Sequence, residues 1–392
     1  MEWSLMAPYY LYGMSASLYT AKARSYLRKR QIDFVERAVG HPHYQQDIMP
    51  AIGRLIMPVL ETPDGQLIQD TVDIVDFLEA AEPPAHPVQP TTPRQLVTAH
   101  LLELFGGEGL LRPAMHYRWN FDDENIAFLA QDFAGCMIMG GDSVQRAQVF
   151  DMASGRMRSA AVAFGVTPES IPAIEASYEE FLALFSAHLE TAPYLLGGLP
   201  TNGDFGFVGP LFPHLARDPH PSALMKATAW RVWRWCERMQ APGVDAPEYG
   251  DFPGAFFADD EIPSTLRDLL AYIATENLDE VLAQVAAIDE WLADNEVVEG
   301  EVINGKPARR MLGQVTFEWR GLPLTISVVP YRLYVLQRLQ EAYRGLDEVS
   351  RQSVVELFEA VGLARLLTAQ ARRSVRRVDN REVWGPEQEP NL

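Results

Sequence analysis

The sequence predicts a small α/β domain at the front of the chain, then an all-helical region whose last part carries one β-hairpin. Three observations predict it. Strand-like and helix-like patterns alternate as far as residue 81, a proline-rich run follows, and beyond it apolar residues recur at helical spacing with a single interruption.

Tyr9-Tyr10-Leu11-Tyr12 reads as a short aromatic strand ended by Gly13. Ala21 to Lys29 has helical character, with Ala23, Tyr26 and Leu27 on one face. Ile32 to Val35 gives a second strand, and a looser segment, His41 to Arg54, follows. Pro58-Val59-Leu60-Glu61 reads as a strand, Pro63-Asp64-Gly65 as a tight turn and Leu67-Ile68 as the returning strand of a hairpin. Asp70-Thr71 opens a helix whose buried stripe is Ile74, Val75, Phe77 and Leu78. The order β-α-β-α-β-β-α, taken as two βαβ crossovers, a hairpin and a covering helix, predicts one small mixed sheet.

Pro83, Pro84, Pro87, Pro90 and Pro93 make residues 82–93 a stiff linker and the clearest domain boundary. Amphipathic runs follow at Gln95–Phe105, Ile171–Leu189, Met225–Met239, Leu266–Tyr272, Leu278–Asp294, Arg332–Tyr343 and Val354–Ala371. The interruption is Val315–Trp319 and Leu324–Val328 around Arg320-Gly321-Leu322-Pro323, a hairpin near 313–329. The expected domains are 1–84, 94–248 and a C-terminal extension, 249–392.

At 392 residues, with 47% apolar and 22% charged side chains, the chain suits two or three globular domains. No stretch approaches the roughly 18 consecutive apolar residues that span a bilayer. Met1-Glu2-Trp3-Ser4 lacks the basic run that opens a secretory signal. The two cysteines, Cys136 and Cys236, form no CxxC pair, so a disulfide scaffold, zinc ribbon or dithiol site is not expected and the expected compartment is a reducing cytoplasm. The eight histidines show no ligand spacing with acids or cysteines, so no metal is expected. A net charge of −20 argues against general affinity for nucleic acid or anionic membrane. The exception, Arg372, Arg373, Arg376, Arg377 and Arg381, reads as a helix end docking on acidic protein surface rather than as an RNA or phosphate site.

Three short segments carry chemistry. In Ser17-Leu18-Tyr19-Thr20 a hydroxyl sits where a strand turns into a helix. Helix N-termini offer unpaired N–H groups and about half a positive charge, which stabilise a thiolate. A hydrogen bond to a charged group adds about 1.5–3 kcal/mol and the helix end about 0.3–1, against about 1.4 per pKa unit, so a bound thiol would drop by about one to three units. On spacing alone the plainer reading, Ser17 or Ser15 as an N-cap, is favoured. In Ile56-Met57-Pro58-Val59 a proline opens a strand; if cis, it exposes the Met57 backbone to a peptide ligand, and if trans it is an ordinary strand start. Gln69-Asp70-Thr71 puts an acid and a hydroxyl at a helix N-terminus, suited to an α-amino acid group, and would cap the helix in any case.

In this order and spacing, Ser17-Leu18-Tyr19, Met57-Pro58-Val59-Leu60 and Gln69-Asp70-Thr71 resemble the glutathione S-transferase superfamily, serine or cysteine type, with Arg24 as its later helical arginine. The resemblance implies a thioredoxin-like N-terminal domain, Ser17 as the thiol-activating residue, a cis Pro58 presenting Met57, and Asp70 with Thr71 as the γ-glutamyl pair. Leu18 departs from the family's proline, and Asp-Thr from its Glu-Ser. Arg54 is the nearest candidate for the glycyl carboxylate, and His43 a weaker one. Leu196 to Phe205 is similar to the segment that opens the family's buried core helix, with Thr201 and Asp204 at capping-box spacing. The resemblance covers about residues 5–245; residues 250–392 look like the extended C-terminal region of some long bacterial transferase-like proteins.

For a second substrate the most site-like stretch is Arg112 to Trp119, with Tyr117 and Trp119 as aromatic walls, His116 as a proton-transfer group and Tyr19 facing them. The plainer reading makes Tyr117 and Trp119 packing aromatics and pairs Arg112 with Glu108. The leading expectation is a glutathione S-transferase-like enzyme, with glutathione as co-substrate and a small hydrophobic electrophile as its target. The alternative is a non-catalytic glutathione-fold binding or scaffold protein. Thiol exchange is disfavoured by serine at position 17. By the same resemblance a homodimer is expected.

Overall fold

A computed structural model describes residues 8–306 and 308–389. β1 (Tyr9–Gly13) and β2 (Phe34–Ala38) are parallel and joined by α1 (Leu18–Lys29). β3 (Val59–Glu61) runs antiparallel to β1, and β4 (Leu67–Gln69) antiparallel to β3, giving the order β2-β1-β3-β4. The second parallel crossover expected from sequence is therefore not formed, because β3 enters the sheet at the end where β2 leaves it. The segment expected to be loose is a π-helical turn, Tyr44–Ile48, running into α2 (Met49–Ile52). In α3 (Thr71–Ala81) Asp70 is the N-cap, accepting the Val72 N–H. Leu11 and Leu60 of the sheet meet Ala23 and Leu27 of α1 and Ile74 and Leu78 of α3 in one core. This mixed sheet with covering helices is the thioredoxin-like domain.

Residues 82–92 hold no helix or strand, and Pro93 opens α4 (Pro93–Leu104) at a position where its missing N–H costs nothing. The helical region continues with α5 (Leu111–Trp119), α6 (Asp122–Met137), α7 (Ser143–Ala163), α8 (Ile171–His188) and α9 (Asn202–Pro210). Every residue of α9 is buried, and Asp204 accepts from both the Thr201 N–H and hydroxyl to form the expected capping box. The run expected as one helix, Met225 to Met239, is two, α10 (Pro219–Thr228) and α11 (Trp230–Gln240), because Ala229 leaves the helical region at φ −144°. Conversely, two expected runs merge into the 31-residue α12 (Ser264–Asp294).

The extension contains the expected hairpin, β5 (Gly313–Trp319) with β6 (Leu322–Val328), then α13 (Tyr331–Arg344) and α14 (Glu348–Ala360). The last helix stops at Ala360 rather than Ala371; Gly362 follows at φ +79°. The arginine run is not a helix end. It is a second hairpin, β7 (Arg373–Val378) with β8 (Arg381–Glu387), turning on Asp379 and Asn380 at φ 47° and 63°. Its arginines do meet acidic protein surface, at Asp289, Glu387, Glu299, Asp73 and Glu382.

Candidate functional site

At the start of α1 the Ser17 Oγ accepts the Thr20 N–H at 3.2 Å and caps the helix, and its own O–H has no acceptor among the described residues. The backbone just before it is held by Arg118 of α5. This fully buried guanidinium donates to Asp218 at 2.6 and 3.0 Å, to the Ala16 carbonyl at 2.8 Å, to the Pro213 carbonyl at 2.5 Å and to His214 Nε2 at 2.7 Å. His214 Nδ1 donates to the Ala114 carbonyl at 3.0 Å, leaving Nε2 as the acceptor. Burial, and then the charge of Arg118, hold the His214 pKa well below its ordinary value.

A cavity of about 350 Å³ opens beside Ser17. Leu18, Tyr19 and Met57 form one wall; Trp119, Phe133 and Met157 bring in α5, α6 and α7. Five methionines line it, Met14, Met57, Met115, Met137 and Met157, so the wall can refill around ligands of different shape. Of its few polar groups, Arg118 and His214 hold each other. The Tyr19 hydroxyl donates to Glu108 at 3.1 Å. Arg156, at the exposed rim, has no ion-pair partner among the described residues.

The second part of the site is the corner where β4 meets α3. Met57–Pro58 is cis, and no described residue hydrogen-bonds the Met57 backbone. The groups beyond it are covered by the extension. Asp70, at φ 94°, accepts the Tyr331 hydroxyl at 2.8 Å as well as the Val72 N–H at 2.9 Å. Arg377 of β7 donates to the Gln69 carbonyl at 2.7 Å, to Gln69 Oε1 at 2.9 Å and to Asp73 at 2.7 Å. The Asn380 side chain closes the edge of β4, accepting from Gln69 N–H at 2.7 Å and donating to the Leu67 carbonyl at 3.0 Å. Arg54 donates to Glu382 of β8 at 3.0 Å and to Gln69 at 3.1 Å. Burial works against the charge of Glu382, but Arg310, Arg54 and Arg377 outweigh it and hold its pKa below the ordinary carboxylate value. Asp70 and Thr71 retain 7% and 1% exposure, too little for a ligand to reach them.

Residues 11–86 match the family model of the glutathione S-transferase N-terminal domain. The matched stretch runs from β1 past the end of α3 and includes neither the helical walls of the cavity nor the C-terminal hairpin. Among solved structures, a glutathione transferase from Phanerochaete chrysosporium is similar over 60% of this chain and 96% of its own, at 14% identity and a TM-score of 0.42. A beta-etherase from Sphingobium aligns over 59% and 95%, at 15% identity and 0.41. A glutathione S-transferase from Methylobacterium radiotolerans, in complex with glutathione sulfonate, aligns over 66% and 100%, at 18% identity and 0.36. A search of curated proteins gave no match.

Of the residues singled out from sequence, Ser17, Tyr19, Met57 and Trp119 share the cavity, with Pro58 buried behind Met57. Asp70 and Arg54 lie at the other corner bonded to the extension, and Thr71 is buried next to Asp70, so glutathione does not fit the corner in this arrangement. His116 and Tyr117 face away from the cavity. His116 donates to Glu175 at 3.0 Å and accepts from Asn120 at 2.8 Å, and Tyr117 stacks on Phe121 at 5.5 Å. Arg112 pairs with Glu280 rather than with Glu108, which instead accepts from Tyr19 and Arg332. His43 lies between Asp47 and Glu61. Among the described residues no group of acids, histidines and cysteines could hold a metal, and no helix is long and apolar enough to cross a membrane. Sequence reasoning missed Tyr331 and Asn380, and it placed Arg377 against acidic protein surface without bringing it to this corner; the bonds of all three to the corner span 261 to 313 residues of chain.

Proposed function

We propose that this chain is a glutathione-fold binding protein that takes a small, largely apolar ligand into the cavity beside Ser17, without needing glutathione. The observation that carries the reading is the contrast between the two halves of the site: the methionine-lined cavity is open, while Asp70 is bonded to Tyr331 and the β4 edge to Asn380. A cavity of about 150 Å³ accommodates benzene, so the roughly twofold larger space here suits a bicyclic or short-chain ligand. Arg156 at the rim favours one anionic end.

A fluorescence titration with an anionic naphthalene dye tests this. Saturable binding by the wild type, unaffected by glutathione and lost in Ala160→Trp, which fills the cavity, is the expected outcome. No binding by a folded wild type, or unchanged binding by Ala160→Trp, refutes the reading. The transferase reading has its own support in the Ser17 hydroxyl on the cavity wall, whose O–H finds no acceptor among the described residues. Glutathione-dependent turnover of an aryl halide that disappears in Ser17→Ala would put that reading first.

A further inference from the structure

The mismatch between the family-matched domain and its covered corner has a structural cause outside that domain. The hairpin β7–β8 is rooted by apolar contacts: Val375, Val383 and Trp384 are buried, and Trp384 stacks on Trp291 of α12 at 5.6 Å. Its tip differs. From Arg376 to Arg381 no apolar side chain is buried: Val378, the apolar residue of the stretch, is 50% exposed. Among the described residues the tip is hydrogen-bonded to the α/β domain through Arg377 and Asn380. Arg377 is itself nearly buried, its side chain 3% exposed between Asp73 and Glu382, so the tip lifts only where water or ligand groups replace those partners, whereas the apolar root has no such replacement.

The tip also imitates what it covers. The Asn380 amide uses one acceptor and one donor on β4, the pattern of a residue in a neighbouring strand. Arg377 takes the Gln69 carbonyl, and Tyr331 takes the carboxylate of Asp70. Tethered to the same chain, these groups act at a high effective concentration and outcompete a free ligand offering the same chemistry.

We propose that Tyr331 and the β7–β8 tip form an autoinhibitory strap: they occupy the corner at Gln69 and Asp70 in place of a ligand bearing an ammonium and a carboxylate, and such a ligand binds when the tip lifts and the Tyr331 hydroxyl leaves Asp70. The strap is independent of what fills the cavity. Reduced glutathione serves as the probe, measured by calorimetry on the full chain. Tyr331→Phe/Arg377→Gln/Asn380→Ala should bind it about tenfold or more tighter than the wild type. Hydrogen exchange of the wild type at saturating glutathione should show lost protection at residues 377–382. A folded triple variant with unchanged affinity, or glutathione bound by the wild type while 377–382 stay protected, overturns the proposal. Should the triple variant not fold, Asn380→Ala at the half-buried turn position replaces it in the same measurements, and unchanged affinity there overturns the proposal equally. Dye titration of each variant reads the cavity separately, so failure of the strap and failure of the binding reading are told apart.

Discussion

Arg118→Met is the perturbation that bears most directly on how the site is held. The substitution keeps most of the apolar stem and removes a fork that serves Asp218 twice, two backbone carbonyls and His214. Removing one partner of a buried pair costs about 3–5 kcal/mol, because the other charge is left without its counterion. Asp218 relieves part of that by taking up a proton, since burial already raises its pKa against the pull of Arg118. The orphaned Ala16 and Pro213 carbonyls add about 1–3 kcal/mol each where water cannot reach them. We expect a loss of about 4–5 kcal/mol for Arg118→Met, and about 1–3 for Arg118→Lys, which keeps the charge without the fork. Urea denaturation followed by circular dichroism measures both. A loss under about 1 kcal/mol for Arg118→Met would refute the claim that this arginine holds the start of α1 in place.

Three further outcomes follow. His188 is fully buried and its pKa is pushed down to about 4 from 6.5, burial being the main cause. The unfolded chain therefore binds the extra proton between those values, and the stabilisation present above pH 6.5 is lost as pH falls toward 4; His188→Gln should reduce the slope of stability against pH by up to about 1.4 kcal/mol per unit there. Trp384→Ala should cost about 3–5 kcal/mol by emptying the root of the hairpin, read as a lower denaturation midpoint. At Gly198 an added Cβ would lie 1.8 Å from the Pro253 carbonyl oxygen, so Gly198→Ala should destabilise by about 1–3 kcal/mol or more, read by thermal melting.

What was legible in the sequence was local. Tyr9–Tyr12, Pro58–Glu61 and Leu67-Ile68 announced their strands by composition, and Asp70-Thr71 announced a cap, because short-range sterics and hydrogen bonding decide those features. α7 was harder: its buried residues are Phe150, Ser154 and Ala161, a stripe too thin to set a clear period. The second hairpin was misread because its turn is Asp-Asn without glycine and its strands are full of arginine, so neither turn chemistry nor apolar alternation stood out. His116 and Tyr117 looked like site residues on type alone, and their helix turns them toward Glu175 and Phe121 instead.

The covering of the corner was beyond local reasoning, yet half of its pattern was in view. Asp70, Asp73 and Asp76 stand three residues apart along the first turns of α3. On α13, Tyr331, Tyr334 and Arg338 follow at spacings of three and four, so both sets fall on one helical face. The structure joins them in register: Tyr331 to Asp70 at 2.8 Å, Tyr334 to Asp73 at 3.1 Å, and Arg338 to Asp76 at 2.7 and 2.9 Å. The Asp70 that the family pattern assigns to a ligand is thus also the first rung of a ladder between two helices. The rungs are unequal. Asp76 is 43% exposed at its side chain, and a pair that open is worth about 0–1 kcal/mol, whereas the Tyr331–Asp70 bond is buried. Asp76→Asn should therefore leave stability within about 1 kcal/mol of the wild type, while Tyr331→Phe should cost about 1–3 kcal/mol by stripping a charged acceptor of its donor. Equal losses from the two variants would mean that the ladder does not close the corner through Asp70.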